Sequence, residues 1–176
     1  MTGQVLNAAC FHDLRTTQQL GYIVGARGTE FGNMPVVGFY IQSSKVGPKE
    51  LEIRIDQFIK DQFTVISDMT EEEFAKHKAG LLSNINRKDK NLAGRTSRLW
   101  AELSDGFDSF DKREQLTKSI GEMTKQQLVN AYQAVLMSEQ KRRLISRNFG
   151  KAHLDNADFT TSLKDTSICR QEQCWK

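Results

Sequence analysis

The side chains able to carry chemistry are few and scattered. The three histidines are His12, His77 and His153. None stands in H-x-x-E-H or its inverted form, the helical spacing that puts two imidazoles on one zinc ion and a glutamate beside the bound water. Glu73 lies one helical turn before His77, which reads as an ion pair on one helix face. His12 and Asp13 lack a nucleophile and a third, orienting group, so they read as solvated surface. Cys10, Cys169 and Cys174 form neither a disulfide framework nor a zinc spacing. Gly21, Gly25, Gly28, Gly32 and Gly38 form no phosphate loop; turns, bulges or close backbone contacts explain them. What remains is residues 11–24, FHDLRTTQQLGYIV. Here Arg15 and Tyr22 stand at the two edges of a polar turn between a helix end and a strand. One reading is a helix C-terminal cation and a half-buried strand aromatic; the other is a pair held out for a ligand.

The elements that must position this turn follow from periodicity. Residues 4–17 read as a helix with Val5, Ala8, Ala9 and Leu14 inward. Residues 22–27, YIVGAR, and 36–44, VVGFYIQSS, read as strands of an antiparallel hairpin with a long connection, GTEFGNMP. After the breaker KVGP the period becomes helical, with Leu51, Ile55, Phe58, Ile59, Gln62 and Ile66 on one face. Thr70 with Glu73 is a capping box that opens a helix to about Lys88, with Phe74, Leu81, Leu82 and Ile85 inward. A further helix is expected over 91–105 around Leu92, Leu99, Trp100 and Leu103, and a short one over 112–120. Thr124 with Gln127 caps another, whose inner stripe reads Leu128, Ala131, Tyr132, Val135 and Leu136. RRLISRNF, 142–149, reads as a last short strand, and the polar tail from 151 as loosely ordered.

Strands grouped with helices, rather than alternating with them, predict an α+β fold: an antiparallel sheet with helices packed on one face. Three strands are few for so many helices, so a first strand is expected to be missing from residues 1–150, with 151–176 as the tail. An unpaired sheet edge would invite self-association.

The bulk numbers agree with one domain. The chain has 176 residues, 38% apolar and 27% charged, the balance of an ordinary globular protein. Its net charge of +3 is too small to argue for a nucleic-acid or membrane partner. The basic groups at 87–98 and 141–147 are broken by acids or lie at helix ends. No apolar run approaches the ~20 residues that cross a bilayer. The opening MTGQVLNAAC has no basic region followed by an apolar one, so no signal peptide is expected. A soluble periplasmic or cytoplasmic chain is the expectation.

The turn itself supplies the strongest lead. Phe11, Leu14, Arg15, Thr16, Gln19, Leu20, Gly21 and Tyr22 resemble F-x-x-L-R-T-x-x-Q-L-G-Y, a segment of the pitrilysin/insulinase family of zinc metallopeptidases. FYIQSS, MTEEEF, FDSFDKREQL and MTKQQLVNAYQAVL agree in order, so the resemblance covers roughly residues 4–150. It implies a C-terminal domain of a long enzyme built from four similar α+β domains in two halves around a closed chamber. The first domain of such an enzyme binds zinc through H-x-x-E-H and a distant Glu. The last faces that site and lends an Arg and a Tyr, which fall here on Arg15 and Tyr22.

These two are therefore the expected substrate-binding and catalytic-support residues. A phenol can donate to a developing oxyanion, and a guanidinium can hold a peptide carbonyl. Removing one such donor typically costs about 2.7–4 kcal/mol of transition-state stabilisation. Gly21 would allow a close backbone approach just before Tyr22. Thr16, Gln18 and Gln19 would satisfy the helix end. The chain departs from the family in having no zinc motif, so no cofactor is expected on it and zinc would belong to the full-length enzyme. The implied partners are the N-terminal zinc-binding half and a peptide substrate. The alternative implied by the same family is a non-catalytic scaffold or partner subunit.

Overall fold

The computed structural model describes residues 1–31, 34–107, 109–151 and 153. Helix α1 spans Thr2–Cys10 and widens into a π-helical turn over Phe11–Thr17. Strands β1 (Ile23–Phe31) and β2 (Met34–Gln42) then pair antiparallel, from Ile23 opposite Gln42 to Phe31 opposite Met34. Successive strand residues point to opposite faces, which sorts them. Val24 and Ala26 are buried with Phe39 and Ile41 against the core, while Ile23 and Tyr40 are exposed on the other face. Helix α1 lies along β1, and Asn7 Oδ1 accepts from the Ala26 N–H at 3.4 Å.

Helix α2 (Pro48–Asp68) begins with a proline in its first turn, where the missing N–H costs no bond. It buries Leu51, Phe58, Ile59 and Ile66, and Phe39 of β2 meets Phe58 edge to face with centroids 6.2 Å apart. Helix α3 (Glu71–Ile85) starts at the Thr70–Glu73 capping box. Helices α4 (Leu92–Ser104) and α5 (Lys112–Glu122) follow, with α5 packed on α3. Helix α6 (Lys125–Tyr132) starts at the Thr124–Gln127 box and widens over Gln133–Met137. Tyr132 is fully buried and donates to the Ile59 carbonyl at 2.7 Å, which fastens α6 to α2. One apolar cluster joins α1, the inner sheet face, α2, α3 and α6. The fold is thus α+β, with helices on one face of an antiparallel sheet. No described helix is long and apolar enough to cross a membrane.

Four expectations need correction. The hairpin connection is short: both strands run on through residues 28–31 and 34–35, because ladder hydrogen bonds do not need burial. The far end is held by Lys112, whose Nζ bonds Glu30 at 2.8 Å and Asp105 at 3.2 Å. Residues 142–149 form no strand, since no described strand lies beside them; Arg143 and Arg147 instead pair with Glu52 and Asp56 on α2. In α6 only Leu128, Tyr132 and Leu136 are buried, because the wider turn after Tyr132 rotates Val135 outward, and Ala131 is exposed. The apolar side of α4 faces out, with Leu92 79% and Trp100 68% exposed.

Ion pairs brace that last helix and the segments on either side of it. Arg98 bonds Asp89 and Glu102, the latter at 2.8 Å, and Arg113 bonds Asp89 at 3.1 Å. The hydrogen-bonded Arg98 guanidinium holds the Asp89 carboxyl below its ordinary range. Glu102, not an apolar residue, is the buried side chain of α4. The expected loose tail, 151–176, lies outside the described residues except for residues 151 and 153.

Candidate functional site

The turn after α1 sets an exposed Tyr22 beside a half-buried Arg15 over a fixed base. Leu14 and Leu20 are buried and anchor its two ends. The Gln18 N–H donates to the Asp13 carbonyl at 2.8 Å, a five-residue span that belongs to a π-helix. The Leu20 N–H donates to the Leu14 carbonyl at 3.0 Å. Two side chains reinforce the loop: Gln18 Nε2 donates to Asp13 Oδ2 at 3.1 Å, and Thr17 Oγ1 to the His12 carbonyl at 3.3 Å. Gln19 takes φ 52°, the left-handed region that costs a residue with a Cβ about 1–2 kcal/mol. Such cost at one residue is common where a turn serves a site.

Gly21 then lets the chain enter β1. A Cβ there would stand 2.0 Å from the Gln42 carbonyl oxygen, so only glycine fits this approach. The next residue, Tyr22, is 82% exposed. Arg15 leaves the π-helical turn toward it. Its Cζ lies 4.8 Å from the Tyr22 ring centroid and 4.5 Å from that of Phe11, which is half-exposed. The two predicted site residues are therefore in contact, and the guanidinium is flanked by two aromatic rings.

Sequence reasoning placed Arg15 and Tyr22 at the edges of the turn, and the structure brings them together across it. It missed Phe11 as a neighbour of Arg15, although the four-residue spacing on one helix was the available signal. It also missed the Gln18–Asp13 bond. The close approach at Gly21 is present, whereas Thr16 has no role in the turn's described hydrogen bonds.

Other reactive side chains stand apart from this site. Cys10 is fully buried on α1, and burial, helped by the charge of Asp13, pushes its thiol up to about 11. Such a thiol is a small hydrophobe and a poor nucleophile. Among the described residues, no group of three or more His, Cys, Asp or Glu side chains could hold a metal ion.

Comparison with known proteins decides the lineage. Residues 1–100 match the family described as PQQ synthase PqqF-like, C-terminal lobe domain 4. The chain belongs to the pitrilysin/insulinase family, in its C-terminal region. It is 33% identical over 164 residues to the A-factor-processing enzyme of Saccharomyces cerevisiae, covering 93% of this chain and 16% of that protein. It is 32% identical over 140 residues to the insulin-degrading enzyme of Homo sapiens, covering 80% of this chain and 14% of that protein. Its fold matches the crystal structure of pitrilysin with a TM-score of 0.69 and 26% identity, over 75% of this chain and 14% of that one. The chain therefore spans about one-sixth or less of these pitrilysin/insulinase relatives.

Proposed function

We propose that this chain serves as the C-terminal, non-zinc domain of a zinc metalloendopeptidase that degrades peptides. In this reading it closes a chamber over a zinc site carried by the N-terminal half of a longer polypeptide. Arg15 and Tyr22 meet the substrate. The zinc there would polarise the scissile carbonyl and activate water. The work left to this chain is binding, orientation and donation of hydrogen bonds.

The observation that carries the reading is the contact between half-buried Arg15 and exposed Tyr22 on a constrained turn. Among the described residues no carboxylate pairs with Arg15, and its N–H donors meet no hydrogen-bond acceptor there. Arginine remains charged through the neutral range and offers five donors in a plane, a match for peptide carbonyls. The Tyr22 hydroxyl is a neutral donor suited to a negative charge that develops only in the transition state. Buried Leu14 and Leu20, the Gln18–Asp13 bond and the close approach at Gly21 keep both groups in place before substrate arrives.

A photo-crosslinking experiment tests this reading. A peptide substrate carrying benzoylphenylalanine beside the scissile bond is bound to the full-length polypeptide, with its zinc-half catalytic glutamate replaced so that no turnover occurs. Mapped crosslinks are expected within residues 11–22. Crosslinks confined to the zinc half, with residues 11–22 untouched, would refute the substrate contact.

A further inference from the structure

We infer that Phe11 is the positioning residue for Arg15, holding its guanidinium by the face so that its edge donors stay free for the peptide. This rests on the function proposed above. A carboxylate partner would fix an arginine by occupying its donors. Here the neighbours are two rings, Phe11 at 4.5 Å and Tyr22 at 4.8 Å, both inside the ~6 Å range of a cation–π contact. Among the described residues, Arg15 makes no salt bridge, unlike Arg54, Arg98, Arg113, Arg143 and Arg147.

The placement of Phe11 is explained by this contact better than by packing. It opens the π-helical turn, with Arg15 one turn further on the same face. It is 43% exposed and lies outside the buried cluster that holds Leu14 and Cys10. A half-exposed ring outside that cluster gains less from burial than a core phenylalanine would. Its visible role is to provide a flat face to the guanidinium. Tyr22 provides a second ring and also carries a hydroxyl, so the two rings are not equivalent. Phe11 orients; Tyr22 orients and donates.

A double-mutant cycle separates this role from a structural one. In the full-length enzyme Phe11→Leu, which keeps bulk but loses the ring face, should lower kcat/KM about tenfold. Phe11→Tyr should stay within about twofold of the parent. In an Arg15→Ala background, Phe11→Leu should cost less than about twofold, because the group it positions is gone. An equal loss with and without Arg15 would show that Phe11 acts on the substrate or the fold directly, and no loss in the parent would also overturn the inference. If Arg15→Ala itself leaves turnover unchanged, the proposed function fails instead.

The stack is then decided by a readout that needs no activity. In the 176-residue chain, ring currents should shift the Arg15 Hδ protons upfield in the NMR spectrum. Phe11→Leu should move them toward ordinary values, whereas an unchanged shift would contradict the contact. Phe11→Met repeats the test should the leucine variant fold poorly.

Discussion

At the scale of single residues, the candidate site is a cation in contact with two rings on the rim of a turn. Arg15 and Tyr22 stand out as candidates from the F-x-x-L-R-T-x-x-Q-L-G-Y resemblance because that spacing is local and specific, and the structure adds only that they touch. The Phe11 contact needs the turn's actual geometry, which periodicity does not supply. Cys10 gives a residue-scale prediction. Its thiol is pushed up to about 11, first by burial and then by Asp13. The unfolded thiol ionises near its ordinary value of about 8.5. Above that pH the unfolded chain releases a proton that the folded chain keeps, so the thiol's contribution is complete below about 8.5 and is lost as pH rises toward 11. Denaturant melts at pH 8 and 10.5 should show this fall, and Cys10→Ala should flatten it. An identical fall in the variant would assign the effect to other groups.

At the scale of elements, what the sequence disclosed and what it hid have different physical origins. Both capping boxes were readable because each is a three-residue device closed within itself: the Thr124 N–H donates to Gln127 Oε1 at 2.8 Å, and the Gln127 N–H to Thr124 Oγ1 at 3.2 Å. Thr124→Ala should therefore destabilise the fold by about 1 kcal/mol, measured as a lower denaturation midpoint with unchanged slope. No change would mean that α6 is held by Tyr132 and Leu128 alone. Strand 142–149 was misread because strand propensity needs a hydrogen-bonding neighbour, and ion pairs to Glu52 and Asp56 placed the segment along α2 instead. The α4 stripe was misread because its periodicity is that of an amphipathic helix whichever side docks. The Asp89–Arg98–Glu102 network chose the polar side. The π-helical turn after Cys10 was read as plain helix, since an added residue per turn leaves no mark in composition.

At the scale of the whole molecule, this chain covers 14–16% of its matched relatives. Its own described side chains assemble no metal site. Calorimetric titration of the 176-residue chain with zinc should accordingly show no stoichiometric binding. A tight one-to-one site would contradict the division of labour, with zinc on one half and peptide contacts on the other. In the function proposed here the Arg15–Tyr22 pair serves that division, which makes the Tyr22 hydroxyl the group to remove. In the full-length enzyme, Tyr22→Phe keeps the ring against Arg15 and deletes only the donor. Single-turnover kinetics on a peptide should show the chemical step slowed about 10²–10³-fold, with substrate affinity and melting temperature nearly unchanged. A chemical step as fast as the parent's would contradict the role and return Tyr22 to packing alone.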